Sequence, residues 1–578
     1  TLERAGLARP LAARAPFETR EDDRAGALLG CAAEMLCRNL DRDLPGWRAR
    51  RLVLCVGSSA GGMPSLERAL ETRARSATLD SALARSALYD GPLSALRPWF
   101  DAPTVQVLAA CASSTVAMGL GARWLESGAA DLVIAGGYDA LSVFVAVGFD
   151  ALGATTASAL APFRVARDGM ALGEGAALVA LVRATGATNP LGYVQGFSAT
   201  NDAVHVTAPD PEGRGLAKAA AAALADAVLG ASDIELVSAH ATATIHNDAA
   251  EARAIRRTLG SAPSAPVVHP FKAVTGHCLG ASGTLETLAA LAAMRSGVLP
   301  AARGEGAIEA ELFGRLLARN EAGSAKACLK LSSGFGGSNA ALVLGTTARA
   351  APPSPRPRRA VRVLSLGELV VAPSSAAIEP FRVADEARVA RLSSGGALAA
   401  TAVASALGAL GSLPRARVGV VVGTTAACLE ENARFHRVYR EKGARAVEPK
   451  RFVRTSPNLP AGECAIAFGF LGPAFAVGGG PNAALEALLV SSTLIACGDA
   501  DVVVAVVCDE VGDTTHALFS AAHVPVPPHG ARAVVLGAET GGERSLEPRI
   551  LLELLGGPPL AVSGEVLFRT ALSKATGS

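Results

Sequence analysis

Short runs of β-branched and aliphatic residues alternate along this chain with longer amphipathic or alanine-rich stretches. Arg51 to Val56, Val105 to Leu108 and Asp131 to Ala135 read as strands. A charged helical stretch follows the first, and an Ala/Gly-rich helix reaching Glu126 follows the second. Apolar strands separated by helices of this kind predict an α/β layered fold with strands buried on both faces. A further block from Leu236 to Leu344 places strands around Ser238, Val267, Lys330 and Val343. The longest uncharged run, between Ser393 and Arg415, is mostly Ala, Gly and Ser. It reads as a buried helix and not as a membrane span, which would need a far more apolar composition.

The pattern then recurs. Gly128-Ala-Ala-Asp-Leu-Val-Ile-Ala135 matches Gly498-Asp-Ala-Asp-Val-Val-Val-Ala505, and Val56-Gly-Ser-Ser59 matches Val422-Gly-Thr-Thr425. Gly472-Pro-Ala-Phe-Ala-Val-Gly-Gly-Gly-Pro-Asn482 aligns without a gap on the stretch holding Cys111, 370 positions earlier, and puts Pro481 where Cys111 stands. A repeat of this length signals duplicated domains and not a solenoid. The copy is incomplete: from Gly128 to Gly175 the first block spends 15 more residues than Gly498 to Gly530, the excess holding Pro162-Phe-Arg-Val-Ala-Arg-Asp-Gly169. Nothing after residue 540 resembles the block at 236–344. Between the copies, Ala348-Arg-Ala-Ala-Pro-Pro-Ser-Pro-Arg-Pro-Arg-Arg-Ala360 reads as a semi-rigid linker. The expected organisation is therefore residues 1–185 with Cys111, 186–347, the linker 348–360, and a copy of the first block over 361–578.

Size and charge narrow the function. At 578 residues two or three domains are expected. A net charge of +2 on 18% charged residues supplies no field for nucleic acid or an anionic membrane surface. The partner expected is a small substrate or another protein. Ten cysteines stand singly, without Cys-x-x-Cys spacing or a secretory leader, which predicts a reduced, cytoplasmic setting. Residue 1 is Thr, so the numbering is expected to begin inside the gene product.

Cys111 is the candidate nucleophile. It sits where a strand breaks into small residues before a helix, and free N–H groups at a helix start favour a thiolate. A lone buried cysteine is as a rule inert packing, so the weight comes from its company. Downstream stand Ser238-Ala-His-Ala-Thr-Ala-Thr-Ile-His-Asn-Asp248, Lys272-Ala-Val-Thr-Gly-His-Cys-Leu-Gly-Ala-Ser-Gly283 and Ser333-Gly-Phe-Gly-Gly-Ser-Asn-Ala340. With the Cys111 segment these resemble, in order, the motifs of the elongating β-ketoacyl synthases of the thiolase fold, of the fatty-acid and type II polyketide kind. The resemblance covers about residues 25–347. It implies duplicated α-β-α-β-α layers, with an additional half-thiolase-like α/β domain in the second copy.

The resemblance also implies roles. Cys111 would accept an acyl group, with the backbone N–H groups of Cys111 and Phe335 as oxyanion donors and Phe335 as a pocket gate. His240 and His277 would stabilise the enolate left when a malonyl thioester loses CO2. Lys272 and Glu286 would pair behind the histidines, Thr242 and Thr244 would meet a pantetheine arm, and Asn339 would support the glycine turn. The substrates would ride on the phosphopantetheine of an acyl carrier protein, with no metal or redox cofactor. Degradative thiolases carry a second cysteine near their C-terminal glycine turn, and initiating synthases use Cys, His and Asn; neither pattern fits here. Two departures stand out. The family's His-Gly-Thr-Gly-Thr is here His240-Ala-Thr-Ala-Thr244, and the family's first strand is not evident before Asp22. If either glycine position needs φ > 0, alanine there costs about 1 kcal/mol.

Residues 361 to about 540 resemble the N-terminal half of a ketosynthase alone. Thr455-Ser-Pro-Asn-Leu-Pro-Ala-Gly462 looks like the family segment before the nucleophile, yet Pro481 cannot attack a thioester, and His436, His516, His523 and His529 match no catalytic motif. The expectation is a fused, inactive partner resembling a chain-length factor, paired within the chain or in a homodimer. The pathway expected is fatty-acid-like, polyketide or polyene synthesis. A non-condensing scaffold for another ketosynthase is the alternative.

Overall fold

The computed structural model describes residues 5–16, 23–75, 78–186, 189–349, 359–408, 410, 413–539, 545–556 and 573. Residues 350–358 of the linker lie outside them.

The first block opens with helix α1 (Arg24–Asp43) and strands β1 (Leu52–Gly57) and β2 (Thr104–Leu108). Helix α2 (Ser113–Glu126), β3 (Leu132–Asp139), α3 (Val143–Ala151) and β4 (Gly175–Leu181) complete it. The second block holds β5 (Tyr193–Asn201), α4 (Arg214–Ala227), β6 (Leu236–Ser238), α5 (Ile245–Leu259) and β7 (Val267–His269). It closes with α6 (Ser282–Ser296), β8 (Ala327–Gly334) and β9 (Ser338–Gly345). The repeat begins with β10 (Ala360–Leu366), α7 (Ser394–Leu407), β11 (Val418–Thr424), α8 (Leu429–Lys442) and α9 (Leu459–Phe468). It continues through β12 (Ala474–Gly478), α10 (Ala483–Ala496), β13 (Val502–Asp509), α11 (Asp513–Ala521), β14 (Gly530–Glu539) and α12 (Pro548–Leu555).

Two sheets organise these elements. The second block forms a five-stranded sheet in the order β5-β9-β8-β6-β7. The first block and its repeat share one nine-stranded sheet, β10-β14-β13-β11-β12-β2-β1-β3-β4. Helices α2 and α6 pack between the two sheets, α4 covers the far side of the smaller one and α1 the far side of the larger, giving five layers. The run read as a buried helix after Ser393 is α7, and among the described residues no helix is long and apolar enough to cross a membrane.

The junction of the two copies is the central strand pair of the large sheet. β2 and β12 run antiparallel, with Val107 opposite Val477 and Leu108 opposite Ala476. Val477 is the counterpart of Val107 at the 370-residue offset, so an approximate two-fold axis passes through this pair. Helices α2 and α10 cross it side by side, and the Trp124 indole donates to Thr493 Oγ1 at 2.9 Å. The buried Arg123 guanidinium reaches Asp499 Oδ1 at 2.7 Å and Asp226 Oδ2 at 2.9 Å, tying first block, second block and repeat together.

Every residue of α10 is buried although the repeat lacks a second block of its own. An uncovered α/β half would expose an apolar face too large for a stable monomer. Helix α12 supplies the cover: Leu551, Leu552 and Leu555 join Leu485, Leu488 and Leu489 in one apolar cluster. On the first block, by contrast, the large sheet ends on β4, and β10 of the repeat has no counterpart among the described residues.

Candidate active site

Two strand-to-helix turns face each other between the sheets. Ala110 (φ +49°) begins the turn carrying Cys111 ahead of α2, and Leu279 (φ +48°) begins the matching turn ahead of α6, just after His277. The buried Asp139 carboxylate ties the Leu279 turn to the loop after β1, accepting from Ser58 Oγ and the backbone N–H groups of Ser59, Ala60 and Gly280 at 2.6–2.9 Å, and Ser113 Oγ at the start of α2 donates to the Ser58 carbonyl at 3.1 Å. Burial pushes that carboxyl up to about 6.

The turns bring the predicted residues together. His277 Nε2 lies 3.0 Å from Cys111 Sγ, and its Nδ1 lies 3.0 Å from Ser282 Oγ. The His240 and His277 rings stand edge to face with centroids 5.5 Å apart. Lys272 Nζ meets His240 Nδ1 at 3.3 Å and Glu286 Oε1 at 2.6 Å. An ammonium is a donor only, so this contact leaves the His240 proton on Nε2, the nitrogen free for a substrate. Burial, reinforced by the Lys272 charge, drives both histidines well below their ordinary range, so they stand as neutral imidazoles.

The thiol differs from the sequence expectation. Cys111 is 9% exposed, and burial pushes it up to about 12, with Lys272 opposing and Asp139 and Glu286 adding to the rise. A helix end contributes up to about 2 kcal/mol in the thiolate's favour, and here burial outweighs it. The sulfur stands as a neutral thiol in contact with the His277 imidazole.

A cleft of ≈ 320 Å³ leads to these groups, lined by Thr242, Thr244, Phe335 and Asn339 along with Cys111 and both histidines. Thr242 and Thr244 hydroxyls share a 2.9 Å hydrogen bond. Phe335 is half-buried in the turn after β8, where Gly334 lies against the Ala109–Cys111 backbone. Asn339 accepts from Ser333 Oγ at 2.9 Å and donates to Asp202 at 2.8 Å, bracing that turn.

Ala241 and Ala243 both adopt the left-handed region, at φ +44° and +63°, so the strain foreseen for alanine here is present at both positions. Two buried carboxylates on α5 hold the loop in place against it. Glu251 accepts from the N–H groups of His240 and Ala241 at 2.6 and 2.7 Å, and Asp248 accepts from Ala243 N at 3.1 Å and Phe163 N at 2.7 Å.

Sequence reasoning missed four contributors. Ser282 and Glu251 sit within or just after quoted motifs, but their roles depend on geometry that spacing does not give. Lys330 is a single charge inside the apolar strand β8, a signal that could have flagged it. Asn458, from the repeat, donates to the Phe335 carbonyl at 2.7 Å. Beside it Gly462 packs on Gly336 so tightly that a Cβ would come within 2.5 Å of the Gly336 oxygen. Pro481 itself is exposed and brings no group to any site. Among the described residues no cluster of three or more His, Cys, Asp or Glu is arranged to hold a metal ion.

Comparison with known proteins agrees with this geometry. The family model for the beta-ketoacyl synthase N-terminal domain matches residues 22–187 and again 373–535, and that for the C-terminal domain matches 191–304. The tetracenomycin polyketide synthase ketoacyl synthase alpha subunit of Streptomyces glaucescens is 31% identical over 353 residues, covering 57% of this chain and 82% of that protein. The 3-oxoacyl-[acyl-carrier-protein] synthase 2 of Staphylococcus aureus (strain N315) is 31% identical over 360 residues, covering 56% and 82%. The solved PfaC keto synthase–chain length factor shares the fold over 93% of this chain and 73% of its own, with a TM-score of 0.73 at 17% identity.

Proposed function

The chain belongs to the β-ketoacyl synthase family, and on that premise we propose that Cys111 carries the acyl group in a decarboxylative Claisen condensation with malonyl-acyl carrier protein. Enzymes of this family are condensing acyltransferases that use no cofactor and take acyl groups from the phosphopantetheine of an acyl carrier protein. The observation that carries the assignment is the contact of Cys111 Sγ with His277 Nε2 at 3.0 Å, with His240 beside it and a cleft opening onto all three.

The chemistry follows from the proton positions. In the first half-reaction Cys111 Sγ attacks the acyl thioester and its proton passes to His277 Nε2, with Ser282 Oγ accepting from Nδ1–H. The backbone N–H groups of Cys111 and Phe335 receive the tetrahedral oxyanion. Collapse expels the pantetheine thiolate, which takes the proton from His277. In the second, the malonyl C–C bond breaks, CO2 leaves and its electron pair becomes an enolate on the thioester oxygen. His240 Nε2–H donates to that oxygen. His277 adds a second donor after tautomer exchange through solvent, one proton leaving Nδ1 as another arrives on Nε2, with the Ser282 hydroxyl then turned to donate to Nδ1. The enolate carbon attacks the acyl carbonyl on Cys111, the new C–C bond forms, and the Cys111 thiolate departs and takes a proton from solvent, the one that loss of CO2 consumes overall. Ser282, both donor and acceptor, lets one imidazole serve as base and then as donor.

The repeat acts in this reading as a fused, inactive partner that shapes the acyl chamber. Support comes from its contacts with the gate turn through Asn458 and Gly462, and from a string of rings crossing the junction. Phe335 and Phe149 lie 5.6 Å apart by centroid, Phe149 and Phe452 5.0 Å, Phe452 and Phe435 5.7 Å, and Phe435 and Phe144 4.5 Å. Phe435 and Phe452 belong to the repeat. Its place in specialised acyl or polyene synthesis rests on this fusion. The scaffold alternative gains nothing from the site, whose charged pair and histidines are assembled for chemistry.

The test is incubation of the full chain with acyl- and malonyl-loaded carrier protein. CO2 release and a 3-oxoacyl product two carbons longer are expected. His240→Ala should keep the acyl adduct but release CO2 about 10²–10³-fold more slowly; unchanged CO2 release in that variant would refute the assignment.

A further inference from the structure

Lys330 is fully buried on β8, with Nζ donating to the Leu331 carbonyl and to Ser332 Oγ at 3.1 Å. Nζ also meets Glu286 Oε2 at 2.7 Å, while Lys272 holds Glu286 Oε1 at 2.6 Å. One buried carboxylate thus serves two buried ammonium groups. A buried lysine is costly unless compensated, and Lys272 alone would balance Glu286. Charged, the second lysine leaves the cluster with a positive charge in surplus directly behind the histidines; burial pulls its ammonium below the ordinary lysine range and Glu286 opposes that fall. Ser332, which receives the Lys330 ammonium, also bonds Thr115 Oγ1 at 2.8 Å on α2, so the charge is fixed to the helix that follows Cys111.

We propose that Lys330 is a positioning residue: it holds Glu286 between two ammonium groups and supplies the surplus charge that keeps His240 and His277 neutral, His240 with its proton on Nε2 and His277 with Nε2 open to the Cys111 thiol. This rests on the condensing reading of the site. Protonation of His240 would put a proton on Nδ1 facing the Lys272 ammonium, break that contact and turn the ring. Lys330 acts against this together with burial and Lys272, which have the larger effects. The other acidic groups facing the cluster offset the surplus only where they are ionised, and below about pH 6, where the rings would titrate, they are largely protonated. Burial pushes Glu251 up to about 7, and Asp139 and Asp248 up to about 6. Cys111 stays a neutral thiol.

The test is NMR of the full chain labelled with 15N-histidine, with the two signals assigned by their loss in His240→Asn and His277→Asn. In the parent both rings should remain neutral below the ordinary histidine value of ~6.5. In Lys330→Gln, which retains hydrogen bonding without charge, the titration should move up by about one pH unit, a tenfold change in proton affinity. The acidic limb of CO2 release should move with it, and Lys330→Arg should restore both. A folded Lys330→Gln with parental titration overturns the proposal. So does a neutral amine at Lys330 in the parent at neutral pH, read from its 13Cε shift, which decides the matter even where the variant fails to fold. Because the ring titrations are independent of turnover, absence of condensation with Lys330-dependent titrations would sink the condensing reading alone.

Discussion

Cys111 and Pro481 occupy the same turn in two copies of one framework, yet one is buried under two histidine-bearing loops and the other faces solvent. The copies agree in the bounds of their elements: β2 and β12, α2 and α10, and β3 and β13 each begin and end 370 residues apart. What separates them is the second block. Residues 191–304 match the C-terminal domain of the family, and the repeat has no such match. In its place α12 covers α10 with three leucines, which restores burial but brings no histidine. A strand-turn-helix junction is thus a place for a nucleophile only when a second layer closes over it. Where the cover is purely apolar, the same junction serves packing.

The comparison can be broken or sharpened by substitution. The largest effect is expected from His240→Ala, which removes an oriented donor to the enolate and should lower CO2 release by about 10²–10³-fold, with acyl transfer to Cys111 retained. Phe452→Ala comes next. Its ring sits over Gly148, and its loss should cost about 3–5 kcal/mol of stability while lengthening the products, as read by mass analysis of released acyl chains. Unchanged product length would remove the repeat from the chamber. Gly462→Ala should push the Phe335 turn aside and slow acylation by about tenfold, a barrier change of roughly 1.4 kcal/mol; rates equal to the parent's would detach the repeat from the gate. Ala241→Gly and Ala243→Gly relieve two left-handed alanines and should each stabilise by about 1 kcal/mol, seen as a small rise in Tm.

A last effect concerns the junction itself. Glu486 on α10 accepts from Gln106 N of β2 at 2.9 Å, and burial pushes its carboxyl up to about 8. The folded chain therefore holds this proton more tightly than the unfolded one, whose value is near ~4.3. The stability it contributes is full below that value and is lost as pH rises through about 8. Glu486→Gln, unable to ionise, should flatten the fall in Tm from about pH 6 to pH 9. A parental fall no steeper than the variant's would contradict the burial argument.

Much of this was legible in the sequence. The helix read after Cys111 to Glu126 is Ser113–Glu126, because a strand of β-branched residues ending in Ala-Ala-Cys-Ala-Ser-Ser leaves few other backbone choices. The ungapped 370-residue offset located the repeat and its blank turn. Less legible was anything depending on what lies across the junction. Phe435 and Phe452 carry no local signal for Phe144 and Phe149, their partners in the first block, and Asn458, although inside the Thr455–Gly462 segment, gives no sign of the Phe335 carbonyl it meets. Lys330 was passed over because strand patterning treats one charge in an apolar run as noise. The thiol expectation failed because a helix N-terminus is visible in sequence while the depth of burial that opposes it is not.

The central claim is that chemistry resides on Cys111 alone and the repeat is inert. Intact-mass spectrometry after incubation with acyl carrier thioesters tests it most directly. The account predicts one acyl adduct on the parent chain, none on Cys111→Ala, and none on Cys111→Ala carrying Pro481→Cys, where no histidine stands by. An adduct that survives Cys111→Ala, or that appears on the introduced cysteine, would contradict it.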